Sequence, residues 1–324
     1  MAGASQRVST AGAARAASGG IDLKLRIALV AILILVLLGL DALVLVVRKP
    51  GIFSAQHYYL ALGNSISFGF QPDLDFTDGF VDQTFAQLHK ANVTDLANYA
   101  CAGESTITMI HGNCPGGLIH HNAYTGSQLD AAVAFLKAHA GKVNPVTLDI
   151  GSNDVLQDFN ISTCSTVGDP MGSLATMDAN LTGTILPRLL DAMKPAKGTA
   201  PTDFVLLNYY NPYAHACPNS SVFAHLLNDH LAADARQFQI PVVDIYTAFG
   251  GDANMATNVC TYTWMCNASS ADLHPTTAGY KVMSDAVLHA LNYPGVGTNQ
   301  VPLPHLAPLH TLLPADERAR VRLV

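Results

Sequence analysis

Charged side chains are scarce in this sequence, and its basic residues form no long run. Charged residues make up 13% of the 324 residues, and the formal net charge is -7. Proteins that bind nucleic acid usually carry a basic patch or stripe, so the composition disfavours a nucleic-acid partner. Hydrophobic residues make up 49% of the chain, which is enough for a sizeable core.

The sequence also lacks any pair of cysteines at the CxxC spacing that is common in zinc sites. A metal site built on cysteine is therefore disfavoured, and we expect no metal. The chain has six cysteines, and an even number fits disulfides formed in an oxidising compartment. We predict that neighbours along the chain pair, as Cys101–Cys114, Cys164–Cys217 and Cys260–Cys266.

One long hydrophobic run lies near the N-terminus. Residues 27–47 carry a single charge, Asp41, and a helix of about 20 apolar residues spans a bilayer. Basic residues before the run outnumber those after it, which favours a cytoplasmic N-terminus. We predict a disordered cytoplasmic tail over 1–26 and a transmembrane signal anchor over 27–47, with the rest of the chain outside the cytoplasm. The alternative is a cleaved signal peptide and a secreted protein, but the run is long for one and no small-x-small cleavage site follows it.

Short apolar segments alternate with amphipathic ones after this run. The apolar segments are bounded by Pro, Gly, Asn or Asp, as buried parallel strands are; they are residues 57–62, 94–98, 144–150, 203–208 and 240–245. The amphipathic segments predict helices over 127–140, 173–193, 220–237 and 275–291. This alternation predicts an α/β fold with a five-stranded parallel sheet in the order 2-1-3-4-5 and helices on both faces. The proline-rich residues 293–324 predict an extended or disordered tail.

Polar motifs follow several of these strands and open the last helix. They are GNS at 63–65, NYACAGES at 98–105, GSND at 151–154 and DLHP at 272–275. Ligands of such sheets bind at the carboxyl ends of the strands, so we expect these motifs to converge. Ser65 is then a candidate nucleophile and His274 its general base. The backbone N–H groups of Ser65 and Gly103 and the side-chain amide of Asn153 are candidates for an oxyanion hole.

The four motifs, in this order, resemble those of the SGNH/GDSL hydrolase family, and the similarity covers residues 57–292. The resemblance implies that Ser65 is the nucleophile, that Gly103 and Asn153 belong to the oxyanion hole, and that His274 is the base. It also implies a flavodoxin-like three-layer α/β/α sandwich and no cofactor.

Two positions depart from the family's usual pattern. The first motif usually reads Gly-Asp-Ser, whereas this chain has Asn64, which can hold a turn but supplies no negative charge. The family often places an Asp three residues before the His; that position is Ala271, and the acid comes one residue later, at Asp272. Side-chain direction changes greatly over one residue of extended chain. Two partners for the His274 ring therefore remain open, namely the Asp272 carboxylate and a backbone carbonyl.

The sequence thus predicts a membrane-anchored, extracytoplasmic serine esterase or lipase that forms an acyl-enzyme on Ser65. Its substrate would be a small-molecule or polymer-linked carboxylic ester, and residues 209–213 are candidates for lining the pocket or for packing alone. An acyltransferase would use the same residues. A third interpretation is a non-catalytic module that binds an ester or a carbohydrate on the same scaffold, because Asn64 and Ala271 depart from the pattern. The sequence carries no clear oligomerisation signal.

Overall fold

A computed structural model describes residues 57–91, 93–117, 119–195 and 202–293. The predicted tail over 1–26, the predicted membrane anchor over 27–47 and residues 294–324 of the predicted C-terminal tail lie outside these ranges. None of the helices within the described ranges combines the length and the apolar character of a membrane span. Tyr293, the first residue of the predicted tail, donates its hydroxyl hydrogen to the Gln87 carbonyl at 2.8 Å, so the folded domain extends at least this far.

The strands confirm the predicted sheet. They are β1 (Tyr58–Gly63), β2 (Asp95–Asn98), β3 (Val143–Asp149), β4 (Phe159–Asn160), β5 (Ser165–Thr166), β6 (Phe204–Leu207) and β7 (Val242–Val243). Five of them form one sheet in the order β2-β1-β3-β6-β7, in which every pairing is parallel. All seven positions of β3, at the centre, are buried. In order of occurrence along the chain this is the expected 2-1-3-4-5 arrangement.

Helices flank the sheet and complete an α/β sandwich. They are α1 (Ser65–Phe68), α2 (Phe80–Leu88), α3 (Thr106–His111), α4 (Gln128–Ala138), α5 (Ser152–Val155), α6 (Pro170–Asn180), α7 (Leu186–Ala192), α8 (Ser221–Gln237), α9 (Ile245–Ala248), α10 (Gly251–Tyr262) and α11 (Thr277–Ala290). A π-helical turn, Leu181–Ile185, joins α6 to α7. Helix α11 packs on α2, and α4 packs on α7. All four predicted helices are present, and the apolar faces of these elements meet in one continuous core.

The last strand of the sheet is shorter than predicted. The sequence pattern extends over 240–245, but β7 comprises only Val242–Val243. The reason lies at Asp244, whose carboxylate accepts the Thr247 N–H at 3.0 Å and thereby caps helix α9. A capping residue has its side chain committed to the helix that follows, so the strand stops before it.

The structure joins the six cysteines in the three pairs predicted. Cys101–Cys114 links the segment after β2 to the loop that precedes α4. Cys164–Cys217 links the β4–β5 hairpin to the segment after β6, and Cys260–Cys266 closes the turn that follows α10. All three crosslinks therefore fasten segments that follow carboxyl ends of strands or lead toward the DLHP motif.

Gly63 ends β1 with a backbone conformation that few other residues can adopt. Its φ is +136°, and an added Cβ would lie 2.0 Å from the Asp149 carbonyl oxygen on the neighbouring strand. Both the conformation and the contact exclude a side chain. The close approach of β1 and β3 at this point fixes where the chain turns into Ser65.

We expect Gly63→Ala to lower the free energy of unfolding by about 4 kcal/mol or more, because the methyl group would collide with backbone that cannot move aside. Urea unfolding followed by circular dichroism measures this. Gly251→Ala is the matched control, since φ is +55° there and nothing lies within 4 Å of an added Cβ. Its cost should be about 1–2 kcal/mol of backbone strain, and equal costs at the two positions would contradict the role of the β1–β3 contact.

Candidate active site

Ser65 lies at the first position of α1, immediately after β1. Asn64 caps this helix, since its side-chain oxygen accepts the Ile66 N–H at 2.8 Å. The first N–H groups of a helix have no partner within it. Accordingly, the Ser65 N–H donates no hydrogen bond to another group in the described part of the chain. The turn therefore presents both a hydroxyl and a free N–H at the carboxyl edge of the sheet.

The His274 ring meets Ser65 across a separation of 209 residues. Nε2 of His274 lies 2.7 Å from the Ser65 Oγ. The loop that carries the ring is held by backbone hydrogen bonds to Trp264, with the Trp264 N–H donating to the His274 carbonyl at 3.0 Å. The Tyr210 hydroxyl donates to the Leu273 carbonyl at 2.6 Å. Contacts from two other elements thus fix the position of the imidazole.

Asp272 contacts the other nitrogen of the same ring. Its Oδ1 lies 2.5 Å from His274 Nδ1 and also accepts the His274 backbone N–H at 2.8 Å. This is the local turn that Asp side chains form with the residue two positions on. It brings the carboxylate back to the imidazole although the family's usual position, Ala271, carries no acid. Of the two partners left open by the sequence, the structure brings the carboxylate to the ring.

The Asp272 contacts determine which ring nitrogen of His274 carries the proton. Burial raises the pKa of Asp272, but the hydrogen bonds from the His274 ring and N–H, together with the imidazole charge, outweigh it and the pKa is lowered. An ionised carboxylate only accepts, so Nδ1 carries the hydrogen. In the neutral ring Nε2 is then an acceptor, and the Ser65 hydroxyl donates to it.

Asn153 and Gly103 lie on neighbouring segments. The Asn153 amide donates to the Glu104 carbonyl at 2.9 Å, which fixes its orientation and leaves its second N–H for another acceptor. Asn153 also lines a cavity together with Ser65. Gly103 directly precedes Glu104, has φ +83° and donates its N–H to no group within the described ranges. Pro115 would lie 3.1 Å from an added Cβ at this glycine.

The cavity beside Ser65 is small and mostly apolar, with a volume of about 60 Å³. Its walls include aromatic and aliphatic side chains from α5 and the turn that follows it, from α8 and from the segment after β6, among them Val155, Leu156, Tyr213, Phe223 and Leu227. The candidate segment 209–213 therefore both lines this cavity and packs in the core, through Tyr209 and Tyr210.

A family model for GDSL-like lipases and acylhydrolases matches residues 61–282. The chain belongs to this GDSL-like family. It is therefore an enzyme of the class that hydrolyses ester bonds. A comparison with curated protein sequences gives no significant match.

A comparison with solved structures also gives matches over most of this chain. LAE5, an α/β hydrolase from the metagenome of Lake Arreo in Spain, is 18% identical with a TM-score of 0.48, over 75% of this chain and 98% of its own. The lipase Lip_vut3 from a goat rumen metagenome is 19% identical with a TM-score of 0.45, over 74% and 100%. Axe2, an acetylxylan esterase from Geobacillus stearothermophilus, is 15% identical with a TM-score of 0.46, over 74% and 96%. Identities this low indicate no substrate for the present chain.

The GDSL-like site contains a buried carboxylate that sequence reasoning missed. Asp149, at the end of β3, is only 1% exposed. Its Oδ2 accepts the Ser67 N–H at 3.1 Å, and its Oδ1 lies 3.5 Å from the Asn64 amide nitrogen. The negative charge that the family usually carries at position 64 thus lies across the turn, on β3. The signal in the sequence is a lone acid in a strand whose other residues are uncharged, shortly before the GSND motif.

Asp149 holds the turn that presents Ser65, but burial of its ionised carboxylate costs free energy. Burial raises its pKa to about 6, against the lowering effect of hydrogen bonds from Tyr209, Ser67 and Asn64. Because its ordinary pKa is 3.8, the folded protein holds the proton more tightly than the unfolded chain does. Its stabilising contribution is thus complete below about pH 4 and is lost as the pH rises through about 6.

We expect Asp149→Asn to remove this pH dependence, because an amide does not ionise. The difference between the two pKa values corresponds to about 3 kcal/mol. Relative to the wild type, the free energy of unfolding of the variant should therefore rise by up to about this amount between about pH 4 and about pH 7. Urea unfolding at the two pH values measures it, with the surface variant Asp285→Asn as control. A wild-type-to-variant difference that is the same at both pH values would contradict the assignment.

Proposed function

We propose that this GDSL-like enzyme hydrolyses carboxylic esters through an acyl-enzyme on Ser65. The observation that carries the proposal is the chain of contacts from the Ser65 Oγ to His274 Nε2, at 2.7 Å, and from His274 Nδ1 to Asp272. A serine hydroxyl is a weak nucleophile unless an adjacent base takes its proton. His274 is the base in this arrangement, and Asp272 keeps it in the tautomer with Nε2 free.

The reaction follows from these roles. The Ser65 Oγ attacks the carbonyl carbon of the ester while its proton passes to His274 Nε2. The tetrahedral oxyanion is stabilised by the N–H groups of Ser65 and Gly103 and by the Asn153 amide. The intermediate collapses with cleavage of the C–O bond, and the leaving alcohol takes the proton from Nε2. Water then gives a proton to Nε2 and attacks the acyl carbon, and the acid leaves as Ser65 regains its proton.

The cavity beside Ser65 indicates the size of the acyl group. A volume of about 60 Å³ with largely apolar walls suits a short, uncharged acyl chain. We therefore propose esters of short-chain acids as substrates, with a small molecule or a polymer as the alcohol part. Long acyl chains would exceed this volume.

The test is covalent labelling combined with a panel of esters. A fluorophosphonate should add its mass to the peptide that contains Ser65, and His274→Ala should lose this labelling. Turnover of p-nitrophenyl acetate or butyrate should exceed that of the octanoate. Labelling at another serine, or no turnover that depends on Ser65 at any chain length, would refute the proposal and favour a binding module. Transfer of the acyl group to added glycerol in preference to water would favour an acyltransferase.

We further propose that residues 27–47 anchor the protein in a membrane with the GDSL-like domain outside the cytoplasm. The uniform apolar run with its preceding basic residues supports an anchor. The three disulfides support an oxidising compartment. Carbonate extraction of membranes and protease treatment of intact cells test the two parts. A soluble, processed form lacking residues 27–47 would support the alternative of a secreted enzyme.

A further inference from the structure

A second cavity, of about 300 Å³, adjoins the segment that carries Gly103, since Glu104 and Pro115 both line it. Its walls come from Glu104, from the loop between α3 and α4, and from Gln128 at the start of α4. None of the groups proposed for catalysis lines it. A volume of this size falls within the range of small-molecule sites.

Glu104 is a buried acid among the residues that line this cavity. The residue is 0% exposed. Its Oε2 accepts the Gln128 amide at 2.8 Å, while its Oε1 is buried and has no hydrogen-bond partner among the described residues. No lysine or arginine lines the cavity. Burial raises the pKa of Glu104 to about 7, against the lowering effect of Thr108, Gln128 and Tyr124 and with a raising contribution from Asp154. The carboxylate thus lacks the positive partner that a buried charge requires.

His120 contributes a second unpartnered acceptor. Its Nε2 lies 3.0 Å from the Gly117 carbonyl, and a carbonyl only accepts, so Nε2 carries the hydrogen. In the neutral ring Nδ1 is then an acceptor. This Nδ1 is buried and has no hydrogen-bond partner within the described ranges.

Tyr124 contributes a buried hydroxyl. This hydroxyl interacts with the side chains of Glu104 and Gln128, but makes no hydrogen bond of normal geometry in the part of the chain that the structure describes. The Tyr124 ring lies 4.8 Å from the His120 ring, and the charge of Glu104 is close enough to contribute to a raised pKa of the phenol, after burial as the main cause. Three residues that line one cavity therefore each have a buried polar atom without a hydrogen bond of normal geometry, whereas buried polar atoms in folded proteins are nearly always bonded.

The chemistry of this set selects the ligand. A carboxylate oxygen, an imidazole nitrogen and a phenol oxygen can all accept, and a primary ammonium group offers three N–H donors and no acceptor. Its single positive charge would also offset the charge of Glu104. An anion would be repelled by that charge. A calcium ion takes six to eight oxygen ligands, whereas one carboxylate is present here and the nearby sulfurs of Cys101 and Cys114 are joined in a disulfide.

We propose that this cavity binds the primary ammonium group of a small molecule between Glu104, His120 and Tyr124. Binding requires the ionised form of Glu104, so the affinity should rise as the pH increases through about 7. The other titratable groups near Glu104 are His120, Tyr124 and Asp154. The site does not depend on the chemistry proposed for Ser65.

The test is a titration of the full-length protein with ethanolamine, followed by NMR or calorimetry at about pH 6 and about pH 8. Ethylene glycol is the matched neutral probe, and tetramethylammonium is a cation without N–H donors. We expect ethanolamine alone to bind, and to bind more tightly at the higher pH. Equal binding of ethylene glycol would overturn the proposal in favour of a hydroxyl site, and binding of tetramethylammonium with equal affinity would reduce it to nonspecific charge attraction.

Variants localise the effect. Glu104→Gln and Tyr124→Phe should each weaken ethanolamine binding about tenfold or more, and Glu104→Gln should also abolish the dependence on pH. Tyr293→Phe and Asp285→Asn remove the same chemical groups far from the cavity and should bind as the wild type does. Ser65→Ala should also bind normally, which separates this proposal from the catalytic one. Unchanged binding in both cavity variants, or no binding of ethanolamine to the wild type, would refute it.

Discussion

Replacing Ser65 with alanine is expected to lower the turnover of short-chain esters by on the order of 10⁶-fold, the scale seen when a hydrolase loses its nucleophile. The variant keeps the backbone N–H of residue 65, the Asn153 amide and the His274–Asp272 pair. The side-chain oxygen that lies 2.7 Å from His274 Nε2 in the wild type is absent. No acyl-enzyme can then form. Steady-state hydrolysis of p-nitrophenyl acetate measures the loss, and the unfolding curve should stay close to that of the wild type.

The control for this variant is Ser162→Ala, which removes an exposed hydroxyl near the β4–β5 hairpin. It should leave turnover unchanged. Residual activity of Ser65→Ala within tenfold of the wild type would mean that another group performs the attack, and the acyl-enzyme mechanism would have to be abandoned.

Asp272→Asn is expected to lower kcat by on the order of 10⁴-fold with little change in KM. An asparagine amide at this position can donate to His274 Nδ1, which would then accept and leave the hydrogen on Nε2. In that tautomer the ring cannot take the Ser65 proton. Because Asp272 acts through the ring and not on the substrate, substrate binding should be nearly unaffected.

The measurement for Asp272→Asn is the separation of kcat from KM for one short-chain ester. Asp285→Asn, which loses an exposed ion pair with Lys281, is the matched control and should behave as the wild type. A decrease in kcat of less than about tenfold would show that the carboxylate is dispensable. A backbone carbonyl would then be the better candidate for orienting His274.

Much of the sheet could be predicted from the sequence because its strands are short apolar runs with clear boundaries. Helix α3 could not, since its sequence TITMIH is rich in β-branched residues that favour strands. Here the start signal decides, because the Ser105 side chain accepts the Thr108 N–H and the Thr108 side-chain oxygen accepts the Ser105 N–H. Local capping thus outweighs the intrinsic preference of the residues that follow.

The candidate site was predictable to the extent that it follows from position after strands. Ser65 and Asn153 lie in helices that begin just after β1 and β3, and His274 lies shortly before α11, so the order of the elements brings their segments together. The contact of Asp272 with the ring depends on a local turn within the DLHP motif, which neither periodicity nor spacing reveals. The role of Asp149 and the second cavity depends on how distant segments pack, and single-sequence patterns carry no information about that packing.

The short distance along the chain between Asp272 and His274 has a further consequence. The base and its carboxylate belong to one tripeptide, in which Asp272 Oδ1 contacts both the backbone N–H and the ring of His274. Any displacement of this segment therefore carries both side chains away from Ser65 together. Detachment of the segment would silence the enzyme while leaving the contact between Asp272 and the His274 ring intact. Activity can therefore be lost without any break between the base and its carboxylate. Such a loss would begin at Tyr210 and at the Cys260–Cys266 crosslink, which hold the segment and the chain that leads to it.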